Sequence, residues 1–160
     1  MTVKILLKEK VKLYKINSKK IKEADLPYYA IQKMKAGENY TNSEGIAYNY
    51  TDFTEKPSAS YSYAYCSDTI FDRDLVKYIA NVDCIYHEST FLEKDVNRAK
   101  DTFHSTAIQA AEIAKLCGTK KLILGHFSVR YKNIDDFLKE AKSVFENTEI
   151  AEDGLVIKIY

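Results

Sequence analysis

The sequence predicts an α/β fold, because segments with strand and helix patterns alternate along its larger, C-terminal part. Two of these segments are especially clear. The stretch 120–128, KKLILGHFS, has the continuous apolar run expected of a strand that is covered on both faces. The stretch 104–118, HSTAIQAAEIAKLCG, is rich in helix-forming alanine; Ser105 or Thr106 can cap the helix and Gly118 can end it.

The first 60 residues are predicted to form less regular structure. The runs VKILL and VKLYKI alternate sufficiently for two short strands, and residues 18–37 have the pattern of helical turns that end at Gly37. Residues 38–60 are rich in Asn, Ser, Gly and Pro and are predicted to form a loop with one short strand.

The chain carries a formal net charge of +1 that is unevenly distributed. Residues 1–35 contain ten lysines and three acidic residues, a local charge of +7, so residues 36–160 carry −6. The interpretation that we favour is a solvated lysine-rich surface. The alternative is a basic arm that contacts a phosphate backbone.

The secondary structure after residue 60 is predicted from the hydrophobic periodicity of each segment. Strands are expected at 60–68, 83–90 and 120–128, and helices at 72–82, 92–100, 104–118 and 134–145. The final segment, TEIAEDGLVIKIY, is predicted to form a hairpin that turns at Asp153-Gly154.

Composition restricts the environment of the chain. No apolar run approaches the roughly 20 residues that cross a bilayer, so no membrane association is expected. Cys66, Cys84 and Cys117 are an odd number of cysteines without a C-x-x-C pair. We therefore expect a cytoplasmic protein with reduced and buried thiols.

Three of the predicted strands begin apolar and end in polar residues. YAYC is followed by Ser67 and Asp68, CIY by His87 and Glu88, and LILG by His126. The carboxyl ends of strands in an open α/β sheet meet at one edge, so these residues are expected to converge on one site. Asp68 and His126 are residue types that bind divalent metals. His104, before a helix, can move a proton, and Arg130 can hold a phosphate.

Each of these residues also has a structural interpretation. Asp68 could cap a helix, and His87 is better explained as a hydrogen-bonded structural residue than as a ligand. His104 could simply lie next to the cap of the following helix. Gln109 is not expected to complete a capping box there. Glu88 is harder to explain in this way, because an unpaired buried carboxylate is costly. Several polar strand ends in one α/β body together favour a functional site.

Four strings, in order and spacing, resemble the C-terminal motifs of the ribonuclease Z family of the metallo-β-lactamase superfamily: SYAYCSDT, YHESTFLE, FHSTAIQAAEIAK and LILGHFSVRY. The resemblance covers most of residues 21–132. It implies the C-terminal half of a four-layered αββα sandwich. Residues 1–160 would then be a single partial domain, with a basic arm and loop at 1–60 and the α/β body at 61–160.

The resemblance also implies roles for individual residues. Asp68 matches the aspartate that bridges two zinc ions, and His126 matches the histidine that completes one zinc site. His104 matches a histidine that assists proton transfer to the leaving 3′-oxygen, and Glu88 matches the carboxylate that orients it. Arg130 matches an arginine beside the scissile phosphate.

The chain departs from the family in one respect. The family requires an H-x-H-x-D-H cluster, whereas this chain has only three separated histidines. It is therefore expected to be inactive alone and to bind zinc weakly or not at all, because one carboxylate and one imidazole form a poor cage. The complete enzyme is expected to be a zinc-dependent endoribonuclease that cleaves precursor transfer RNA at its 3′ end.

The expected partners are precursor transfer RNA, the missing N-terminal half of the same enzyme, and a second copy in a homodimer. The sheet face that meets the missing half is expected to be apolar and exposed. Two alternatives remain: another metallo-β-lactamase-type phosphodiesterase or hydrolase, and a non-catalytic RNA-binding or interaction half-domain.

Overall fold

The computed structural model describes residues 3–159, and these divide into two compact units. One unit contains residues 3–9 and 61–159, and the other contains residues 10–60. The first strand thus belongs to the same unit as the later strands, whereas the sequence grouped it with a basic arm.

The described residues form nine strands and seven α-helices. The strands are β1 Val3–Lys8, β2 Lys15–Ile16, β3 Tyr40–Thr41, β4 Ala47–Tyr48, β5 Thr54–Glu55, β6 Ser62–Ser67, β7 Cys84–Glu88, β8 Lys121–Gly125 and β9 Thr148–Ile150. The helices are α1 Ser18–Glu23, α2 Tyr28–Lys35, α3 Tyr50–Phe53, α4 Val76–Ile79, α5 Val96–Asp101, α6 Ala107–Cys117 and α7 Asp135–Lys142. None of these helices, over residues 3–159, is long and apolar enough to cross a bilayer.

The larger unit has a five-stranded sheet, which confirms the predicted α/β class. Its strand order is β1-β6-β7-β8-β9, with β1 antiparallel at the edge and the other strands parallel. Helices α4, α6 and α7 cover one face, where Phe137 and Ile113 pack with strand residues such as Ile85 and Leu124. The unit is therefore one sheet layer and one helix layer. The carboxyl ends of β6, β7 and β8 lie side by side.

The other face of the sheet is apolar and only partly covered, as the sequence led us to expect. Ile5 and Leu7 on the edge strand are 48 % and 58 % exposed. Their partners in the register are Tyr65 and Tyr63 on β6, and Tyr65 is in turn paired with Tyr86 on β7. The tyrosine rings of β6 and β7 stack with centroids 4.7 Å apart. Aliphatic and aromatic groups thus form a continuous row across three strands.

The strongest predicted helix, α6, has clear local start and stop signals. The Thr106 hydroxyl accepts from the Gln109 amide at 3.2 Å, while the Gln109 side chain accepts from the Thr106 amide at 3.0 Å. The expectation that Gln109 does not complete a capping box is therefore wrong. Gly118 ends the helix with φ +63°, a left-handed conformation that favours glycine.

The predicted C-terminal hairpin is wrong in part. Thr148–Ile150 does form a strand, but it pairs in parallel with β8, and residues 155–159 form no strand. The turn at Asp153-Gly154 is present. After it, Leu155, which is 47 % exposed, and Ile157 line a cavity together with side chains of the open sheet face, so the apolar pattern of this segment does not lead to strand pairing.

The smaller unit is more regular than the sequence predicted. Residues 38–60, predicted as a loop with one short strand, contain three two-residue strands and helix α3. In contrast, the predicted strand VKLYKI is reduced to Lys15–Ile16, which pairs with β5. A small core of Ile21, Ala30, Met34 and Tyr40 holds the unit together.

The three cysteines are free and buried, as predicted. Burial raises the pKa of each thiol, Cys66, Cys84 and Cys117, to about 11. At neutral pH they are therefore protonated core residues rather than nucleophiles or metal ligands.

Asp83 ties the amino ends of the strands together, and its substitution should be measurable. Its carboxylate accepts from the Ser62 amide at 2.8 Å, the Ser62 hydroxyl at 2.9 Å and the Lys120 ammonium at 2.7 Å. The hydrogen bond from Lys120 is the main cause of a lowered Asp83 pKa, although partial burial opposes it. Asp83→Asn should therefore lower the free energy of unfolding by about 1–2 kcal/mol at pH 7.

The pKa of Asp83 is lower in the folded state than in the unfolded state, where it is about 3.9. The stabilisation of the fold by ionised Asp83 is therefore complete above the unfolded-state pKa. It is lost as the pH falls through the lower folded-state pKa. Urea titrations between pH 2 and 7 should show a weaker acid dependence in Asp83→Asn. The exposed Asp74→Asn is the control, with a change within about 0.5 kcal/mol. Equal effects of the two substitutions would contradict this account of Asp83.

Candidate functional site

The carboxyl ends of three adjacent strands converge on one cluster of polar side chains. Asp68 follows β6, Glu88 ends β7 and His126 follows β8, while His104 lies just before α6. The Asp68 Oδ1 atom is 3.2 Å from His126 Nε2. Asp68, His104 and His126 each offer a ligand atom, and these atoms all lie within 4.8 Å of one another.

Backbone turns aim two of these side chains. Asp68 has φ +48° and His126 has φ +62°, both in the left-handed region that non-glycine residues occupy at a cost of about 1 kcal/mol. Each turn comes directly after a strand, so the chain changes direction where the side chain enters the site. Gly125 precedes His126, and a Cβ there would collide with the ring of Tyr86. Any larger residue at this strand end would therefore require the Tyr86 ring to move.

Glu88 is fully buried at the centre of the cluster. Its Oε1 atom accepts from the Thr69 amide at 2.8 Å and from His104 Nδ1 at 2.8 Å. Its Oε2 atom accepts from the Thr90 hydroxyl at 2.6 Å and the Ser105 amide at 3.2 Å. These donors compensate the cost of burying a carboxylate. Glu88 thus connects three segments of the site.

The His104 ring is held on one side and open on the other. Its Nδ1 atom is bound by Glu88, and only 22 % of the side chain is exposed. The ring also lines a cavity of about 260 Å³ whose walls include Phe71, Val96 and Lys100. A carboxylate that binds one ring nitrogen fixes the orientation and tautomer of an imidazole. The other nitrogen is then available for chemistry.

Asp68 is not a helix cap, whereas His87 is a hydrogen-bonded structural residue. Asp68 does not cap the helical turn that follows, since Asp72 does so by accepting from the Asp74 amide at 2.9 Å. His87 is buried, and its Nδ1 donates to the Glu88 carbonyl at 2.7 Å. Burial lowers the pKa of His87, which favours a neutral structural side chain.

Arg130 is not brought into the cluster. Its guanidinium lies over the Phe91 ring, 5.3 Å from the centroid, and its Nε donates to the Ser128 hydroxyl at 3.3 Å. The Phe91 ring is in turn 6.1 Å from the His104 ring. Arg130 is therefore separated from the cluster by one aromatic side chain.

Thr90 is the site residue that the sequence did not single out. Its hydroxyl lies 2.6 Å from Glu88 Oε2, 2.9 Å from His126 Nδ1 and 3.2 Å from His104 Nδ1. The only available signal was its position two residues after Glu88 in the string HEST. The hydroxyl contacts both histidines of the cluster.

The donor set fits part of a divalent metal site. A carboxylate and imidazoles are ligands that zinc accepts, and the atoms are close enough to share an ion. Within residues 3–159 this cluster supplies at most three ligands. Zinc is usually four-coordinate, so a complete shell, and still more a two-metal shell, needs ligands from elsewhere.

The chain is similar in sequence to curated proteins named ribonuclease Z. The protein from Bacteroides fragilis is 43 % identical over 134 residues, which are 84 % of this chain and 44 % of that protein. The protein from Porphyromonas gingivalis is 40 % identical over 154 residues, 96 % of this chain and 51 % of that protein. The chain thus spans about half the length of the curated relatives it matches, and it corresponds to their C-terminal portion.

A solved structure supports the predicted fold. The metallo-β-lactamase fold protein YhfI from Bacillus subtilis matches with a TM-score of 0.57 and 26 % identity, over 61 % of this chain and 40 % of that protein. No protein-family model matches the chain. The expectation of part of a metallo-β-lactamase fold is confirmed.

Proposed function

We propose that this chain supplies the C-terminal part of the active site of a zinc-dependent endoribonuclease of the ribonuclease Z type, which cleaves precursor transfer RNA at its 3′ end. The observation that carries the proposal is the convergence of Asp68, His104 and His126 around the buried Glu88. This arrangement occurs in a chain that is similar to the C-terminal portion of curated ribonuclease Z proteins.

Asp68 and His126 are the metal ligands in this proposal. They are in direct contact, at 3.2 Å, and both are about half exposed, so ligands from another segment can approach them. A carboxylate has two oxygens and can bind two ions at once. Bound zinc would supply Lewis acidity to the phosphodiester and lower the pKa of a water molecule.

His104 is the proton donor to the leaving 3′-oxygen. It differs from His126 because its Nδ1 is bound directly by the buried Glu88 carboxylate, which orients the ring so that the other ring nitrogen can carry the proton to be transferred. Its exposed edge lines the adjacent cavity, where a leaving group can approach. Glu88 acts through His104 as a positioning residue.

Arg130 is proposed to contact the phosphate after a rearrangement. Its guanidinium rests on an aromatic ring and is exposed, a placement from which it can rotate. A bidentate contact with a phosphate is stronger than this ring contact.

The remaining part of the site comes from an N-terminal half that carries the H-x-H-x-D-H cluster. We propose that this half packs on the open sheet face, where Ile5, Leu7, Tyr65 and Tyr86 form an apolar row. The chain alone is then inactive and holds zinc weakly. We also propose that the complete enzyme is a homodimer and, given its free buried cysteines, that it is cytoplasmic.

Mixing this chain with a polypeptide that carries the H-x-H-x-D-H half tests the proposal. Cleavage of a precursor transfer RNA with a 3′ trailer is expected only in the mixture. Asp68→Ala and His126→Ala should each reduce the rate at least about 100-fold, because a metal contributes several kcal/mol of charge stabilisation. Asp74→Ala, an exposed aspartate paired with Lys77, is the matched control and should be unaffected.

Other outcomes of the same mixture identify the alternatives. Cleavage of a simple phosphodiester without cleavage of precursor transfer RNA would indicate another hydrolase of this fold. RNA binding by the chain, with no cleavage in any mixture, would contradict the enzymatic proposal and indicate a binding module.

A further inference from the structure

We infer that Thr90 is a positioning residue that fixes the tautomer of His126 and couples its ring to Glu88. The inference rests on the proposed function only where it treats His126 as a metal ligand. The tautomer itself follows from hydrogen-bond geometry in this chain.

The hydrogen bond between Thr90 and Glu88 has a defined direction. Both Glu88 oxygens accept from backbone N–H groups: Oε1 from Thr69, and Oε2 from Ser105. A backbone N–H can only donate, so both oxygens are oriented as acceptors. The single hydroxyl proton of Thr90, 2.6 Å from Oε2, is therefore directed to Glu88.

The Thr90 hydroxyl has no second proton to donate to His126. A threonine hydroxyl has one proton and two lone pairs, and the proton is already used. The Thr90 oxygen can then only accept from His126 Nδ1, which lies 2.9 Å away. His126 must carry a proton on Nδ1, and its neutral form has the lone pair on Nε2. Imidazole can otherwise carry its proton on either nitrogen.

The nitrogen lone pair of His126 faces Asp68 in this tautomer. His126 Nε2 is the atom that lies 3.2 Å from Asp68 Oδ1. In this tautomer a nitrogen lone pair and a carboxylate oxygen face each other, and a shared metal ion satisfies both. Thr90 thus selects the form of His126 that can bind a metal on the Asp68 side.

His104 and His126 are both linked to Glu88. His104 Nδ1 is bound to Glu88 directly, at 2.8 Å, and also lies 3.2 Å from the Thr90 hydroxyl. His126 reaches the same carboxylate through Thr90. One buried carboxylate therefore orients both histidines, one directly and one through a hydroxyl.

The test compares Thr90→Val, which has the same shape without the hydroxyl, with Thr90→Ser, which restores it. The ¹⁵N shifts of the imidazoles in the metal-free 160-residue chain at about pH 8 report the tautomer, with His126→Gln used to assign the signals. Wild type and Thr90→Ser should show Nδ1–H at His126. Thr90→Val should lose this preference, while the Nδ1–H of His104 persists through Glu88.

The second measurement is the affinity for cobalt(II) of the mixture with the H-x-H-x-D-H half. Thr90→Val should weaken it about 10- to 100-fold, the effect typical of groups that orient metal ligands, and Thr90→Ser should stay within a few-fold of wild type. A persistent His104 signal in Thr90→Val shows that the site is still folded.

An Nε2–H tautomer of His126 in the wild-type chain, or an unchanged tautomer in Thr90→Val, would overturn the inference. If the tautomer responds as expected and no variant changes metal affinity, the positioning by Thr90 stands and the proposed role of His126 as a metal ligand fails. The two proposals therefore fail separately.

Discussion

The Glu88→Gln variant is expected to lose about 2–4 kcal/mol of unfolding free energy, and the reconstituted enzyme to lose at least about 100-fold in cleavage rate. Both Glu88 oxygens accept hydrogen bonds, from Thr69 and His104 on one side and from Thr90 and Ser105 on the other. A glutamine keeps the shape but replaces one oxygen with a donor NH₂ group. In either orientation, donors then face donors in a buried site.

Urea unfolding of the chain and cleavage by the mixture with the N-terminal half measure the two effects. Glu146→Gln makes the same chemical change at an exposed position and should leave both unchanged. A Glu88→Gln chain as stable as wild type would contradict the hydrogen-bond assignment. Full activity of a stable variant would contradict the positioning role.

Substitution of the two histidines is expected to separate proton transfer from metal binding. His104→Gln should reduce cleavage by about 10² to 10⁴, the usual contribution of a general acid, and leave the metal content of the reconstituted enzyme unchanged. His126→Gln should reduce both cleavage and metal content. The reason is that His126 contacts Asp68 at 3.2 Å, whereas His104 is held by Glu88.

The experiment has a chemical control. An RNA with sulfur in place of the leaving 3′-oxygen needs little help from a proton donor, so it should restore cleavage by His104→Gln but not by His126→Gln. Loss of metal in His104→Gln would show that all three members of the cluster are ligands, and the proton donor would have to be sought elsewhere.

The convergence of the polar side chains was predictable from the sequence because it depends on the sheet topology. Asp68, Glu88 and His126 follow or end apolar strands, and parallel strands bring their carboxyl ends to one edge. The open apolar face was expected for a different reason, since the resemblance of the motifs implies a missing half that meets this face of the sheet. The individual roles came from the resemblance of the motifs and remain proposals.

The contacts within the site were not predictable, since they join segments that are distant in sequence. Thr90 meets His104 and His126 across 14 and 36 residues. The left-handed turns at Asp68 and His126 leave no pattern in the sequence. Arg130 was expected at the site, but the structure holds it on Phe91.

Two errors in the elements have local explanations. The sequence does not decide whether Ser105 or Thr106 caps α6. A capping box needs the glutamine three residues after the cap, and Gln109 has this spacing from Thr106 but not from Ser105. The turn at Asp153-Gly154 was correctly predicted, but a turn does not determine which strand the residues before and after it pair with. Thr148–Ile150 pairs with β8 instead.

The most direct test of the central claim is a crystal structure of the mixture with the H-x-H-x-D-H half, grown with zinc and measured on both sides of the zinc absorption edge. We expect an anomalous peak within coordination distance of the Asp68 carboxylate and His126 Nε2, with Glu88 still bound to His104. Zinc held only by residues of the other half, with Asp68 and His126 free of metal, would contradict the claim that this chain supplies part of a metal centre.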